Sequence, residues 1–310
     1  MRALPLLLLL PTLALAQAPA VLRPAVPPRG VTLPPTSPAL ADEAFALSVN
    51  PAGLRYVGRG QLFYLHERNL VQDQVGDGLF LGTTVLGGLG AGLGVEWVRG
   101  RGLPDYRKSS FGLALGSERL ALGVAYNTFA SDDARVDRLS SFDLGLTLRP
   151  ARYLSLGAVV QDVNAPEVDG LAVPRRWGLG VGVRPCGERW TLGADYAFPG
   201  SAWRDGRLSW TLQARVLPGL GLGAGFSHGF RPEVKPALQL ALTLDASRFG
   251  VTYAVGGAED ALDHVVAARL SAGRYPALSL GEGSVALVDL DDELVPRVNP
   301  TLSLLGLAGA

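Results

Sequence analysis

Cysteine is nearly absent from this 310-residue chain: Cys186 stands alone, beside three histidines (His66, His228, His264) and one methionine. An internal disulfide framework is therefore excluded, as is any Cys-rich zinc or iron–sulfur site, and no cofactor or metal is expected. Neither sign of charge is in excess, because 28 Lys and Arg balance 28 Asp and Glu. That leaves no electrostatic footprint for nucleic acid and no polybasic patch for a membrane surface. Charged residues are also few, at 18% against 48% hydrophobic, which is too apolar for a disordered chain.

What is abundant is glycine, with forty residues. The longest uncharged run of the central chain, Leu79 to Val95 (LFLGTTVLGGLGAGLGV), contains six glycines. At roughly 0.8 to 1 kcal/mol each relative to alanine, they would cost a helix about 5 kcal/mol. Its period is two: Leu89, Ala91, Leu93, Val95 and Trp97 alternate with Gly90, Gly92, Gly94 and Glu96, the mark of a strand with one apolar face. The alternation recurs at Leu120–Asn127, Phe142–Arg149, Leu208–Val216 and Leu238–Asp245. Similar segments near 59–66, 78–86, 108–116, 152–161, 175–184, 188–197, 219–228, 248–255 and 263–271 bring the expected total to fourteen strands.

The ends of the chain have other characters. Met1 to Ala18 (MRALPLLLLLPTLALAQA) reads as a secretory signal peptide with small residues at the cleavage site, and its apolar run is shorter than the ~20 residues of a spanning helix. Residues 19–38 hold seven of the chain's 22 prolines and are expected to form an extended periplasmic leader. Residues 39–56 are the candidate plug, 57–272 the barrel, and 273–310 a periplasmic extension.

The connections alternate in length. Short turns are expected at Gly87-Gly88, Ser117-Glu118, Pro150-Ala151, Pro185 to Gly187, Pro218-Gly219 and Ala246-Ser247, with longer loops near 67–77, 99–107, 128–138, 162–174, 198–206, 229–236 and 256–262. That pattern predicts an all-β fold, a 14-stranded antiparallel transmembrane β-barrel of the Gram-negative cell outer membrane, with both termini periplasmic. In a soluble sandwich the leucine face would point inward; here the opposite face is mostly Gly, Ala, Ser and Thr, too poor in charge for a solvated exterior. Leucines should thus meet outer-membrane lipid. Trp97, Phe111, Tyr126, Phe142, Trp177, Tyr196, Trp210 and Phe226 all share the apolar parity and are expected to form a girdle at the outer headgroup level. By the same parity Glu96, Asp143, Arg149, Asp195, Arg215, Asp245 and Arg269 face the lumen, where pairing with one another or with water is expected.

The plug candidate carries a resemblance. Within Asp42 to Leu54 (DEAFALSVNPAGL), the run Asn50-Pro51-Ala52-Gly53-Leu54 is similar to the NPAGL-type signature near the mature N-terminus of FadL/TodX and PorV-like outer-membrane proteins. The resemblance implies a fourteen-stranded barrel whose N-terminal hatch includes Asn50, Pro51, Ala52 and Gly53. It implies either porin-like passage of small hydrophobic compounds or a membrane scaffold for a periplasmic protein. The signal, barrel and tail Gly283-Ser284-Val285 to Val295 together resemble the barrel part of barrel-fused SppA-type signal peptide peptidases, whose Ser/Lys catalytic region would follow; the expectation is a barrel part without the peptidase, by truncation or divergence.

Three further motifs carry less. Gly225-Phe226-Ser227-His228-Gly229 fits G-x-S-x-G, and a lipid hydrolase could pair Ser227 with His228 or with His264 and Asp263. A nucleophile elbow needs a strand–turn–helix, whereas Pro232 follows here in a loop. The runs Gly88 to Gly94 and Gly219 to Gly225 lack the helix that a phosphate loop requires, and Asp289, Asp291, Asp292 and Glu293 lack calcium-loop spacing. The chain as it stands is thus expected not to be an enzyme.

Overall fold

The computed structural model describes residues 30–272, apart from 71–72, 86–87, 101–103, 169–170, 201, 232–234, 247 and 259–260. The signal peptide, the first part of the leader, and the tail with its peptidase-like motif fall outside the described residues. Fourteen antiparallel strands close into one barrel. In chain order they are β1 (Gln61–Asn69), β2 (Gln74–Val85), β3 (Leu89–Gly100), β4 (Tyr106–Gly116), β5 (Leu120–Ser131), β6 (Ser140–Ala151) and β7 (Leu154–Gln161). The circuit continues with β8 (Arg176–Val183), β9 (Trp190–Pro199), β10 (Arg207–Leu217), β11 (Leu220–Gly229), β12 (Ala237–Ala246), β13 (Phe249–Ala258) and β14 (Ala261–Ser271). Closure is made by β1 against β14, in register from Gln61↔Ser271 to Asn69↔Asp263. Among the described residues the barrel sheet has no free edge, which is what a sheet in hydrocarbon requires.

Parity sets the two surfaces. Leu93, Leu115, Leu122, Leu144, Leu179, Leu212, Leu240 and Leu270 stand on the exterior, with Leu115 67% and Leu122 59% exposed. A continuous apolar exterior of this kind far exceeds the patches that water-exposed proteins carry, so it needs a hydrocarbon surround. Among the described residues no helix is long and apolar enough to cross a membrane. The strands do the crossing. Seven of the eight expected girdle aromatics are exposed on this surface; Tyr196 is half-covered by Phe198 and Phe230. Neighbouring strands set these rings side by side, as in Phe111↔Tyr126↔Phe142 and Trp210↔Phe226.

Strands run past the points where the apolar alternation stops. The connections expected at 67–77 and 256–262 shrink to 70–73 and 259–260. The reason is visible on the exterior of β1–β3: above the apolar band, Asp77 accepts a bond from the Tyr64 hydroxyl (2.9 Å), contacts His66 Nδ1 (2.9 Å) and pairs with Arg99 (2.8 Å). The ladder continues there with polar side chains satisfied by one another, so hydropathy marks the edge of the hydrocarbon and not the end of the strand. The loop 162–175 holds a small hairpin of its own, Glu167–Val168 against Leu171–Ala172. At the opposite end the turn after β10 is Pro218-Gly219, and Gly219 has φ +78°, the backbone that favours glycine at the third position of a type II turn.

The chain before β1 lies inside the ring. A short helix α1 (Ala46–Val49) and a 3-10 helix (Pro51–Tyr56) pack on the inner faces of β2–β6. Residues 30–38, expected within the periplasmic leader, are also inside. Gly76, near the loop end of β2, faces Val31; Gln213 on β10 donates to the Pro35 carbonyl (3.2 Å); and Ser37 bonds Asp195 on β9. Proline keeps this stretch extended, but the lumen wall supplies its hydrogen bonds, so composition alone could not separate a tether from a lining. The described ends also lie toward opposite mouths, Gly30 at the level of the loops and Ala272 at the turn end beside Gly60.

Candidate functional site

The lumen wall has two textures. Over β1–β9 the inward positions meet the inserted chain. Leu54 sits against Gly92 and Gly112, Leu47 against Gly94 and Gly112, Pro51 and Ala52 against Gly123, Pro38 and Ala39 against Gly157, and Leu40 against Gly182. A Cβ on Gly123 would lie 2.3 Å from the Ala52 nitrogen, so these glycines are sockets. The inward face is not only small and polar, as the alternation suggested. Phe63, Leu65, Phe80, Val98 and Phe129 also point inward and form a buried core with Phe45, Leu47 and Leu54, with the Phe45 and Phe63 rings 4.7 Å apart.

Asn50 is the hub of this packing. Its Oδ1 accepts from the Ala52 backbone N–H (3.2 Å), capping the 3-10 helix, and Pro51 follows at the first helical position. Its Nδ2 donates to the Pro38 carbonyl (2.7 Å), the Leu146 carbonyl on β6 (3.1 Å) and Thr147 Oγ1 (3.2 Å). One fully buried amide thus ties the helix, the incoming strand of chain and the wall. Gly53 lets the helix approach Ala41, whose carbonyl oxygen a Cβ would meet at 1.8 Å.

The seven charges expected in the lumen all face inward, but few pair with one another. Asp245 pairs with Arg269, which also lies 3.7 Å from Glu43 of the inserted chain. Arg149 pairs with Asp42 (3.0 Å), and its guanidinium stacks 3.6 Å over the Tyr56 ring. Burial pushes the Tyr56 phenol above its ordinary range, and the Arg149 charge opposes that shift. Asp195 is held by Ser37, while Arg215 stands half-buried on β10 opposite Gly221. Glu96 and Asp143 belong to a polar group near the loop end. Glu96 accepts from the Val31 N–H (2.8 Å), the Ser48 hydroxyl (3.0 Å) and Lys108 (3.0 Å); Asp143 accepts from Asn127 (2.8 Å) and the Asp162 N–H (2.9 Å). Two of these four carboxylates, Glu96 and Asp195, therefore grip the inserted chain. Glu67, absent from the sequence expectation, does so too, accepting from the Thr32 N–H (2.5 Å) and hydroxyl (2.8 Å). Extending the Phe63, Leu65 alternation by one step would have found it.

Over β10–β13 the wall is different: the inserted chain lies against it at Gln213, Gly225 and Gln239, through Pro35 and Leu33, and other inward positions stay open. Ser209, Gln213, Arg215, Gly221, Gly223, Ser227, Gln239, Ala241, Thr243 and Thr252 point inward yet remain half-exposed or, for Gln213, exposed. Gly221 and Gly223 have only atoms of the adjoining strands near them, Thr243, Ala214, Ala241 and Leu212. Exposure on the inner surface of a closed ring means open lumen. Between Arg207 at the loop end and Arg215 with Asp245 at the turn end, the inward positions of β10–β12 carry no ionisable group.

Against this geometry, the chain is similar in fold to the CymD monoaromatic hydrocarbon channel, with a TM-score of 0.55 and 12% identity over 77% of this chain and 95% of that one. A Rhodopseudomonas blastica porin triple mutant aligns at a TM-score of 0.42 and 10% identity, over 68% of this chain and 98% of the porin. No family model and no curated protein matches the sequence. The likeness is one of fold.

The G-x-S-x-G match is no nucleophile elbow. It ends β11 instead of turning into a helix. Ser227 faces the lumen and takes a bond from Arg207 (3.2 Å), whereas His228 lies on the exterior between the Phe226 and Phe230 rings. His264 bonds Tyr253 outside (2.7 Å) while Asp263 bonds Asn69 inside (2.7 Å). The candidate triad is split by the sheet. Among the described residues no group of three His, Cys, Asp or Glu side chains is placed to hold a metal.

Proposed function

We propose that this chain is an outer-membrane channel that admits small uncharged compounds, apolar to weakly polar, along the β10–β13 side of a partly plugged lumen. The observation that carries this reading is the exposed, uncharged inner wall at Ser209, Gln213, Gly221, Gly223, Gln239 and Thr243. A wall of small neutral groups imposes little cost on a solute that leaves its water, and it offers no fixed charge to attract an ion. The turns and Ala272 face the periplasm in this reading, with the longer loops outside. CymD, similar in fold, is a monoaromatic hydrocarbon channel, which makes monoaromatics the first probes to use.

The test is uptake of toluene by cells whose outer membrane holds the protein, against cells holding Gly223→Trp, which fills the open side. Uptake several-fold faster with the native chain supports passage along this wall. Equal uptake in both strains, with both proteins folded in the outer membrane, overturns it. The SppA-type reading draws on residues 273–310, outside the described residues, and the open wall favours passage over a scaffold role.

A further inference from the structure

Above the inserted helices, on the side of the lumen away from the open wall, lies a second cavity of about 240 Å³. It is bounded by Gly30 to Leu33, Ser48 and the loop-end residues of β3–β8. The two buried carboxylates in it are satisfied from the protein: each oxygen of Glu96 and of Asp143 accepts at least one of the bonds given above. The amides are spent as well. Asn127 accepts from Ser110 (2.7 Å) and donates to Ser141 (3.3 Å) and Asp143; Gln161 donates to the Ser48 carbonyl (3.1 Å) and accepts from Arg176 Nη2 (2.7 Å).

The cations are not spent. Lys108 has three N–H donors and gives one bond, to Glu96. Arg176 has five and gives one, to Gln161, while its Nε is buried with no partner. Only the Nε is kept from water; the rest of the half-exposed Arg176 side chain lines the cavity with N–H donors that no protein acceptor takes. The remaining acid in the lining is Asp162, half-exposed at the start of the loop that ends at Arg176.

We infer that this cavity is a binding site for a small monocarboxylate, whose two oxygens receive terminal guanidinium N–H groups of Arg176, with Lys108 as the second cation. The paired geometry is the one that a guanidinium favours for carboxylates. The size restricts the ligand to something smaller than a drug-like molecule. Asp143 and Asp162 restrict its charge, since a second carboxylate on the ligand would face them. The site is distinct from the β10–β13 wall and does not depend on passage along it.

The experiment is calorimetric titration of the purified, detergent-solubilised full chain with propionate, propionamide and succinate. Propionate is expected to bind, with propionamide and succinate at least about tenfold weaker, since a charge-assisted pair is worth more than a neutral one. Arg176→Gln keeps the bond partner of Gln161 within reach and should weaken propionate by about tenfold or more; Arg138→Gln, in the exposed loop 132–139, should leave it unchanged. Retained heat-modifiable gel mobility shows that each variant is folded. Equal affinity for propionate and propionamide, no propionate binding, or full binding by a folded Arg176→Gln protein would each overturn the inference.

Discussion

Gly123 on β5 and Gly223 on β11 occupy the same kind of position, an inward glycine in the middle of a barrel strand, and they do opposite things. Gly123 is pressed against the backbone of Pro51 and Ala52; Gly223 has only neighbouring strand atoms, the nearest being Ala241 Cβ at 3.2 Å. One glycine makes room for a protein segment and the other leaves room for something else. The barrel thus has a filled side over β1–β9 and a more open side over β10–β13, and the inward parity of the sequence is common to both. What differs is the presence of the 30–56 segment, which carries its own complement to the sockets: Leu47, Leu54, Pro51 and the Asn50 amide.

The comparison breaks most visibly by removing the filling. Deleting residues 39–56 is expected to produce a folded barrel with a large rise in single-channel conductance in planar bilayers; an unchanged conductance would show that the inserted chain does not limit the pore. Next in size is Gly123→Leu, which puts a side chain where the Ala52 nitrogen and Pro51 carbonyl carbon now sit, within about 2.3 Å of the new Cβ. Overpacking of this kind typically costs about 1 to 3 kcal/mol or expels the intruding segment. Either lower thermal stability or higher conductance should follow. Gly223→Leu, by contrast, should leave stability within about 0.5 kcal/mol and reduce solute flux. Reversal of that order would erase the distinction between the two sides.

Asn50→Ala tests what fastens the filling. The substitution leaves the Ala52 N–H and the Pro38 and Leu146 carbonyls without their partner in a buried site, at roughly 1 to 3 kcal/mol in total. The expected result is a loosened plug: unchanged heat-modifiable mobility, faster proteolysis within 39–56, and frequent conductance bursts. A steady native conductance would assign the amide no fastening role.

The strand count and the face that meets lipid were legible because period two is a local property, repeated fourteen times, and a barrel wall has one apolar side. Strand ends were less so, since Tyr64, His66, Asp77 and Arg99 satisfy one another beyond the apolar band and their spacing resembles a polar loop. The structure places the Asn-Pro signature within the inserted chain. Its chemistry, one amide serving Pro38, Leu146 and Ala52, joins residues up to 96 positions apart and cannot be read from a five-residue motif. The same holds for the lumen charges. Parity placed Glu96, Asp143 and Asp195 inward, but their partners Val31, Asp162 and Ser37 come from stretches without periodicity. The asymmetry of filling was invisible for a further reason: Gly112 and Gly221 look alike in sequence, and only the path of the inserted chain separates them.

The smallest expected effect concerns Ser227, the residue whose sequence context most resembles catalysis. It sits on the open side, facing the lumen, and takes its hydrogen bond from Arg207 at 3.2 Å. A guanidinium cannot serve as a general base, because it holds its protons throughout the accessible pH range. His228, one residue on, points through the opposite face of the sheet to stack between Phe226 and Phe230. Ser227→Ala should therefore leave ester hydrolysis at background in both proteins and change stability by no more than about 0.5 kcal/mol. It should shift solute flux only slightly, through loss of one hydroxyl from the open wall. Appearance of esterase activity in the native chain that vanishes in Ser227→Ala would instead place chemistry on the side of the barrel here assigned to passage.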